Sequence, residues 1–173
     1  EYLLSQPIES FRDVINIIAI WRPNDEEKIA RIDRYKQAKK LPVRLDFLTP
    51  DLISTLEPNY GLVIYHEDIM RIIAAYTDWN WERCSQLRRN IRFNIAHEDL
   101  SLFKEMAPKT VFDFVVEETP WMFCKPHAIS FAQFTKQTSI LKSLHKKIYF
   151  DEISKWQDRN GFVWDDIGIK IKG

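Results

Sequence analysis

Glycine is scarce in this sequence, with four in 173 residues. So few exclude an all-β chain built on tight turns, and they exclude a glycine-rich phosphate loop. Cysteine is scarcer still: Cys84 and Cys124 stand alone, which rules out a disulfide framework or a CxxC pair. Two isolated thiols predict a reduced, intracellular setting, and the cytoplasm is the expected location. No apolar run reaches the ~18 residues of a membrane span and no signal peptide opens the chain, so no membrane is expected among its partners. Charge of one sign is not in excess either. With 25 basic and 25 acidic residues, a globally basic nucleic-acid binder is excluded and only a local basic face remains.

Metal-binding patterns are missing too. His66, His97, His127 and His145 have no partner at HxxxH or CxxC spacing, so no metal site is predicted. Carboxylate pairs such as Glu67-Asp68 and Glu117-Glu118 fall where helix starts or solvated faces want them. None lies in an apolar strand as a metal-binding aspartate pair would, so no catalytic residue for two-metal phosphoryl transfer is assigned.

What the chain does have is a core: 45% of its residues are hydrophobic and 13% aromatic, enough for one ordinary domain. The periodicity is helical almost throughout. Ser10 to Asp13 reads as a capping box before a helix with Phe11, Val14, Ile15, Ile17, Ile18 and Trp21, stopped by Pro23. A second helix, capped at residues 24–27, turns Ile29, Ile32 and Tyr35 inward and ends in the solvated cations Lys36, Lys39 and Lys40. Thr49-Pro50 opens a short helix that Pro58 ends, and residues 62–65 read as extended. A helix with Ile69, Ile72, Ile73 and Tyr76 follows. The next, flanked by Trp79 and Trp81, carries Cys84 and Leu87 out to Arg88-Arg89, with Arg92 on a shared face. A short helix around Leu100 and Phe103 precedes one with Val111, Phe112, Val115 and Val116. Residues 121–127 read as an aromatic-lined loop. A long helix to about residue 145 is expected to bury Phe131, Phe134, Ile140, Leu141 and Leu144, and a last one covers residues 150–159. Asn160-Gly161 signals a turn, after which residues 162–172 fit a small hairpin. The expected fold is mainly α: one helical domain over residues 1–160, then a tail or hairpin over residues 161–173. Beginning at Glu1 without methionine, the chain reads as a piece of a longer one.

Arg88-Arg89 is the leading candidate for chemistry. Guanidinium groups suit phosphate because they donate paired hydrogen bonds and keep their charge. Neighbours on a helix point ~100° apart, so the two cannot form one flat fork but can reach around a single polyanion. Alone, a tandem arginine at a helix end is an ordinary exposed terminus, and Lys125 with His127 invites the same bland reading. Cys124 with His127 offers a weaker nucleophile pair for a cysteine hydrolase, with no Asn or Asp placed to orient the histidine.

The run EPNYGLVIYHEDIM, followed by Leu87-Arg88-Arg89, resembles the fingers region of the bacterial C-family replicative DNA polymerases, the alpha subunits of DNA polymerase III. There a Tyr-Gly, apolar, Tyr-Gln-Glu segment leads into a helix and then a Leu-Arg-Arg helix. Upstream, SFRDVINIIAIWRP is similar to a segment ending Arg-Pro-Gly, with Arg22-Pro23 in register. Downstream, FCKPHAISFAQF is similar to Phe-Asn-Lys-Ser-His-Ser-Ala-Ala-Tyr, with Phe123, Lys125 and His127 in register. The resemblance implies a fingers-type helical domain in which Arg88 and Arg89 meet the triphosphate of an incoming nucleotide. Lys125, His127, Arg22 and Arg92 would lie on the same DNA- or nucleotide-facing side. It implies primer–template DNA, a deoxynucleoside triphosphate, a palm domain and replisome proteins as partners. The catalytic aspartates and their magnesium would belong to a palm outside this chain, so the fragment is expected to hold no cofactor and to be inactive alone. Residues 90–95 replace the family's lysine cluster, and His66 replaces its glutamine; both mark a divergent or phage-type member. A polymerase-derived helical scaffold without nucleotide contact is the alternative.

Overall fold

The computed structural model describes residues 8–21, 27–160, 162–165 and 168–171. The chain divides into two compact units, Glu1–Ala132 and Gln133–Gly173. Its secondary structure is mainly α-helical, as the periodicity predicts.

In the first unit, Ser10 caps α1 (Phe11–Ile20) as expected. Its hydroxyl accepts from the Asp13 amide at 3.2 Å, and the Asp13 carboxylate accepts from the Ser10 amide at 2.9 Å. Pro23, Arg22 and the Asn24 cap lie outside the described residues. In α2 (Lys28–Lys40), Ile32 and Tyr35 are buried but Ile29 is 47% exposed. One terminal cation departs from its expected place. The Lys39 side chain is only 8% exposed and pairs with the buried Asp13 at 3.1 Å. Helix-dipole logic does put a cation there, but a carboxylate from the preceding helix draws it inward.

The chain then passes through α3 (Pro50–Leu56) and a 3-10 turn (Glu57–Asn59), after which Tyr60 and Gly61 both take positive φ, 58° and 78°. This reversal lays the chain against residue 43, whose amide donates to the Tyr60 carbonyl at 2.9 Å. A Cβ at position 61 would run into the Val43 carbonyl oxygen, and the left-handed φ is strained for any side chain. Gly61→Ala should therefore cost about 2 kcal/mol or more. Urea melts of the two proteins would measure this; an unchanged midpoint would show that the close approach is not binding.

The extended residues after Gly61 divide the core. Val63 joins a cluster with Leu52, Leu56, Ile69, Ile73, Leu87, Phe103, Val111 and Val115. Leu62 and Ile64, on the opposite face, join Ile17, Ile32, Tyr35, Tyr65 and Ala128. Alternation with period two lets one segment serve both clusters. Helices α4 (His66–Thr77), α5 (Trp81–Arg92), α6 (Glu98–Met106) and α7 (Lys109–Glu118) build the first cluster, largely on the predicted positions. A 3-10 turn (Thr119–Trp121) ends this run.

Helix α8 spans Lys125–Leu144, and here the burial expectation fails. Only Ala128 and Ala132 are buried, while Phe131, Phe134, Ile140, Leu141 and Leu144 are 47–70% exposed. Periodicity marks an apolar face but not whether anything covers it, and close packing in the first unit selects the alanines. In the second unit, α9 (Lys146–Asn160) starts earlier than residue 150, and β1 (Phe162–Asp165) pairs antiparallel with β2 (Gly168–Ile171). Leu141, Ile148, Tyr149, Ile153 and Trp156 line a groove of about 550 Å³ in this unit.

Candidate functional site

The site starts from a short parallel bridge between Tyr65 and Phe123. The Phe123 amide donates to the Ile64 carbonyl at 3.1 Å, and the His66 amide to the Phe123 carbonyl at 2.9 Å. Each strand of the bridge runs directly into a helix, α4 at His66 and α8 at Lys125. Two helix N-termini, each carrying a partial positive charge, thus lie beside one another. Glu67, in the first turn of α4, reaches across and accepts the Lys125 amide at 3.2 Å. Asp68 turns inward and accepts the amides of Ile64 and Tyr65 at 3.2 and 3.0 Å. Burial pushes the Asp68 carboxyl above its ordinary range; these two bonds and the charges of Lys125 and Arg71 offset only part of that.

Lys125 and His127 stand on the first turn of α8, not in the loop expected over residues 121–127. Pro126 is the reason, because a proline loses nothing in a first helical turn, where its missing N–H would have no partner. The Lys125 ammonium lies 5.2 Å from the centre of the Tyr65 ring. The His127 ring sits between Phe123 and Phe131, at 5.5 and 4.6 Å. Among the described residues no hydrogen bond joins Cys124 to His127. Cys124 is half-buried.

Helix α5 brings in the arginines. Asn80 caps it, its side chain accepting the Arg83 amide at 2.9 Å. Cys84 and Leu87 are fully buried and fix its rotation. Arg88 is thereby left half-buried at the rim, and Arg89 and Arg92 are exposed. The Arg88 Nε is enclosed yet has no hydrogen-bond partner among the described residues. Burial lowers the pKa of its guanidinium, and the charges of Arg89 and Arg92 push the same way, while Glu67 and Cys124 oppose. Arg89, Arg92, Glu67 and Cys124 thus lie near enough to Arg88 for their charges to act on it, and Lys125 meets Glu67 through its backbone amide. Arg22 falls outside the described residues.

Sequence reading missed the buried polar chain behind this site. The Tyr35 hydroxyl donates to Asp13 at 2.7 Å, Asn16 Nδ2 donates to the Tyr35 oxygen at 3.2 Å, and the Tyr65 hydroxyl donates to Asn16 Oδ1. This chain ties α1 and α2 to the residue from which α4 starts. The one local signal was the capping aspartate, Asp13, whose second role depends on partners 22 and 26 residues away. Among the described residues no three His, Cys, Asp or Glu side chains converge as metal ligands. No helix among these residues is long and apolar enough to cross a membrane.

These features define a helical domain that presents arginines beside paired helix starts. The chain belongs to the family of the bacterial DNA polymerase III alpha subunit finger domain, which matches residues 4–115. It is similar to the DNA polymerase III subunit alpha of Staphylococcus aureus (strain Mu50), with 26% identity over 161 residues and 82% of this chain covered. The counterpart in Staphylococcus epidermidis (strain ATCC 35984) is 27% identical over 154 residues. The chain spans 14% of the length of these relatives.

Proposed function

We propose that this chain is the fingers segment of a DNA-directed DNA polymerase, and that its α4–α5–α8 face binds the incoming nucleotide triphosphate and primer–template DNA. The observation that carries this reading is Arg88: half-buried, unpartnered at Nε and pressed by two further arginines. A protein keeps such a charge poorly compensated where an anion is to arrive. Arg88 and Arg89 take the triphosphate; Arg92, Lys125 and His127 extend the same face toward DNA, and Arg22 is a further contact. Their work is positioning and charge stabilisation. Nucleotidyl transfer itself belongs to a palm domain outside this chain, where magnesium would supply Lewis-acid stabilisation of the transferring phosphate. The palm and other replisome proteins are the expected neighbours, in the cytoplasm.

The exposed Phe134, Leu141 and Leu144 favour a second reading, a helical scaffold that meets only protein. Fluorescence anisotropy of a labelled primer–template across a salt series separates the two. Phosphate contacts make affinity fall steeply with salt, and Arg88→Ala/Arg89→Ala should flatten that slope by about two units. No binding at low salt, or binding indifferent to salt and to both arginines, would sink the fingers reading.

A further inference from the structure

Tyr65 makes a contact that its place in the core does not require. Its side chain is buried, yet the Lys125 ammonium lies over its ring, 5.2 Å from the centre. The negative face of an aromatic ring attracts a cation placed on it, and among the described residues no carboxylate pairs with this ammonium. The lysine backbone is held as well, because Glu67 accepts its amide at 3.2 Å. The ring in turn is anchored at its far end. Its hydroxyl donates to the buried Asn16, and Asn16 Nδ2 donates to the Tyr35 oxygen at 3.2 Å. The Tyr35 hydroxyl donates onward to Asp13 at 2.7 Å, so every donor in the chain points toward one carboxylate and the bonds reinforce one another. We propose that Tyr65 is a positioning residue for Lys125: fixed by Asn16 at its hydroxyl, its ring holds the ammonium ready on the nucleic-acid face. The proposal rests on the reading of Lys125 as a contact to primer–template.

Lysine has much to gain from such a hold. Its flexible four-carbon stem loses rotamer freedom when the ammonium docks on a phosphate. A stem already laid over a fixed ring has lost part of that freedom beforehand, and affinity gains by the difference. A ring also holds the cation without neutralising it, whereas a carboxylate would cancel the charge that a phosphate is to meet. If Tyr65 only filled the core and closed the polar chain, its loss would lower stability and leave DNA affinity indifferent to Lys125.

The test has two readouts on this chain. In NMR spectra of the free protein, the ring current of Tyr65 should move the Lys125 ε-methylene protons upfield. Ordinary lysine values in the wild type would overturn the proposal with no DNA present and no variant to fold. Salt-series anisotropy on a labelled primer–template then compares wild type, Tyr65→Phe, Lys125→Met and the double variant, each shown by thermal melt to be folded. Tyr65→Phe keeps the ring but frees it from Asn16, so affinity should fall about 2–5-fold, the range of a cation–π contact, with the salt slope unchanged. Lys125→Met should lower the slope by about one unit, and in that background Tyr65→Phe should add no further loss. An equal loss in both backgrounds, or no loss in either, would make Tyr65 a core residue and overturn the proposal while the Lys125 reading stands. A Lys125→Met variant that binds as wild type would take Lys125 off the DNA face and the proposal with it, leaving Arg88 and Arg89 to be judged by their own double variant.

Discussion

Asp13→Ala is expected to destabilise the fold by about 3–5 kcal/mol, a loss of roughly 10–15 °C in Tm. Asp13 is fully buried, and its carboxylate accepts from the Tyr35 hydroxyl, the Ser10 and Glu9 amides and the Lys39 ammonium. Truncation leaves the Tyr35 hydroxyl proton without its acceptor and takes the buried counter-charge from Lys39, whose side chain is 8% exposed. Burial alone would raise the Asp13 pKa, but the bonds from Tyr35, Glu9, Lys39 and Ser10 outweigh it and bring it to about 2. The sign follows from that depression. The stabilisation is complete above the unfolded carboxyl's ordinary pKa of ~4 and is lost as pH falls through ~2, an effect on the order of 1–2 kcal/mol after screening. Thermal melts at pH 7, 4 and 2.5 would follow it, with Asp13→Asn as the control that cannot titrate. The gap between wild type and Asp13→Asn should narrow toward pH 2.5; a gap independent of pH would place the stabilisation in shape rather than charge.

The helices were legible because their signals are local. Capping at Ser10, Pro50 at a helix start and the inward run Ile69, Ile72, Ile73 each act within a few residues, and the fold honours them. What was not legible depends on distant partners. Lys39 carries the pattern of a solvated helix terminus, and only the approach of α1 makes it a buried ion-pair partner. Glu67 has the pattern of a first-turn acid, and only the bridge to Phe123 puts the start of α8 within its reach. The aromatic face of α8 is periodic and yet exposed, since amphipathicity expresses a demand for burial that another surface has to meet. Arg88-Arg89 lies between these cases. Sequence placed the pair at the end of a helix, whereas the half-burial of Arg88 came from the packing of Leu87 and Cys84 beneath it.

That half-burial makes Arg88 the place where stability and binding should move in opposite directions. In the free domain its charge is disfavoured first by desolvation, then by Arg89 and Arg92. Arg88→Met keeps the apolar length of the side chain, removes the buried charge and needs no partner for Nε. The variant should be more stable than wild type by about 0.5–1 kcal/mol. The same change removes the donor best held against the site's walls, because a half-buried guanidinium loses less freedom on binding than exposed Arg89. Charge-assisted bonds of this kind contribute about 1.5–3 kcal/mol each, so primer–template or nucleotide affinity should fall roughly 10–100-fold. Arg88→Lys should recover only part of that, since an ammonium restores the charge without the planar fork. Thermal melts and anisotropy on the same three proteins decide the matter. A less stable Arg88→Met that still binds as wild type would make Arg88 a packing residue and move the phosphate surface elsewhere on the fold.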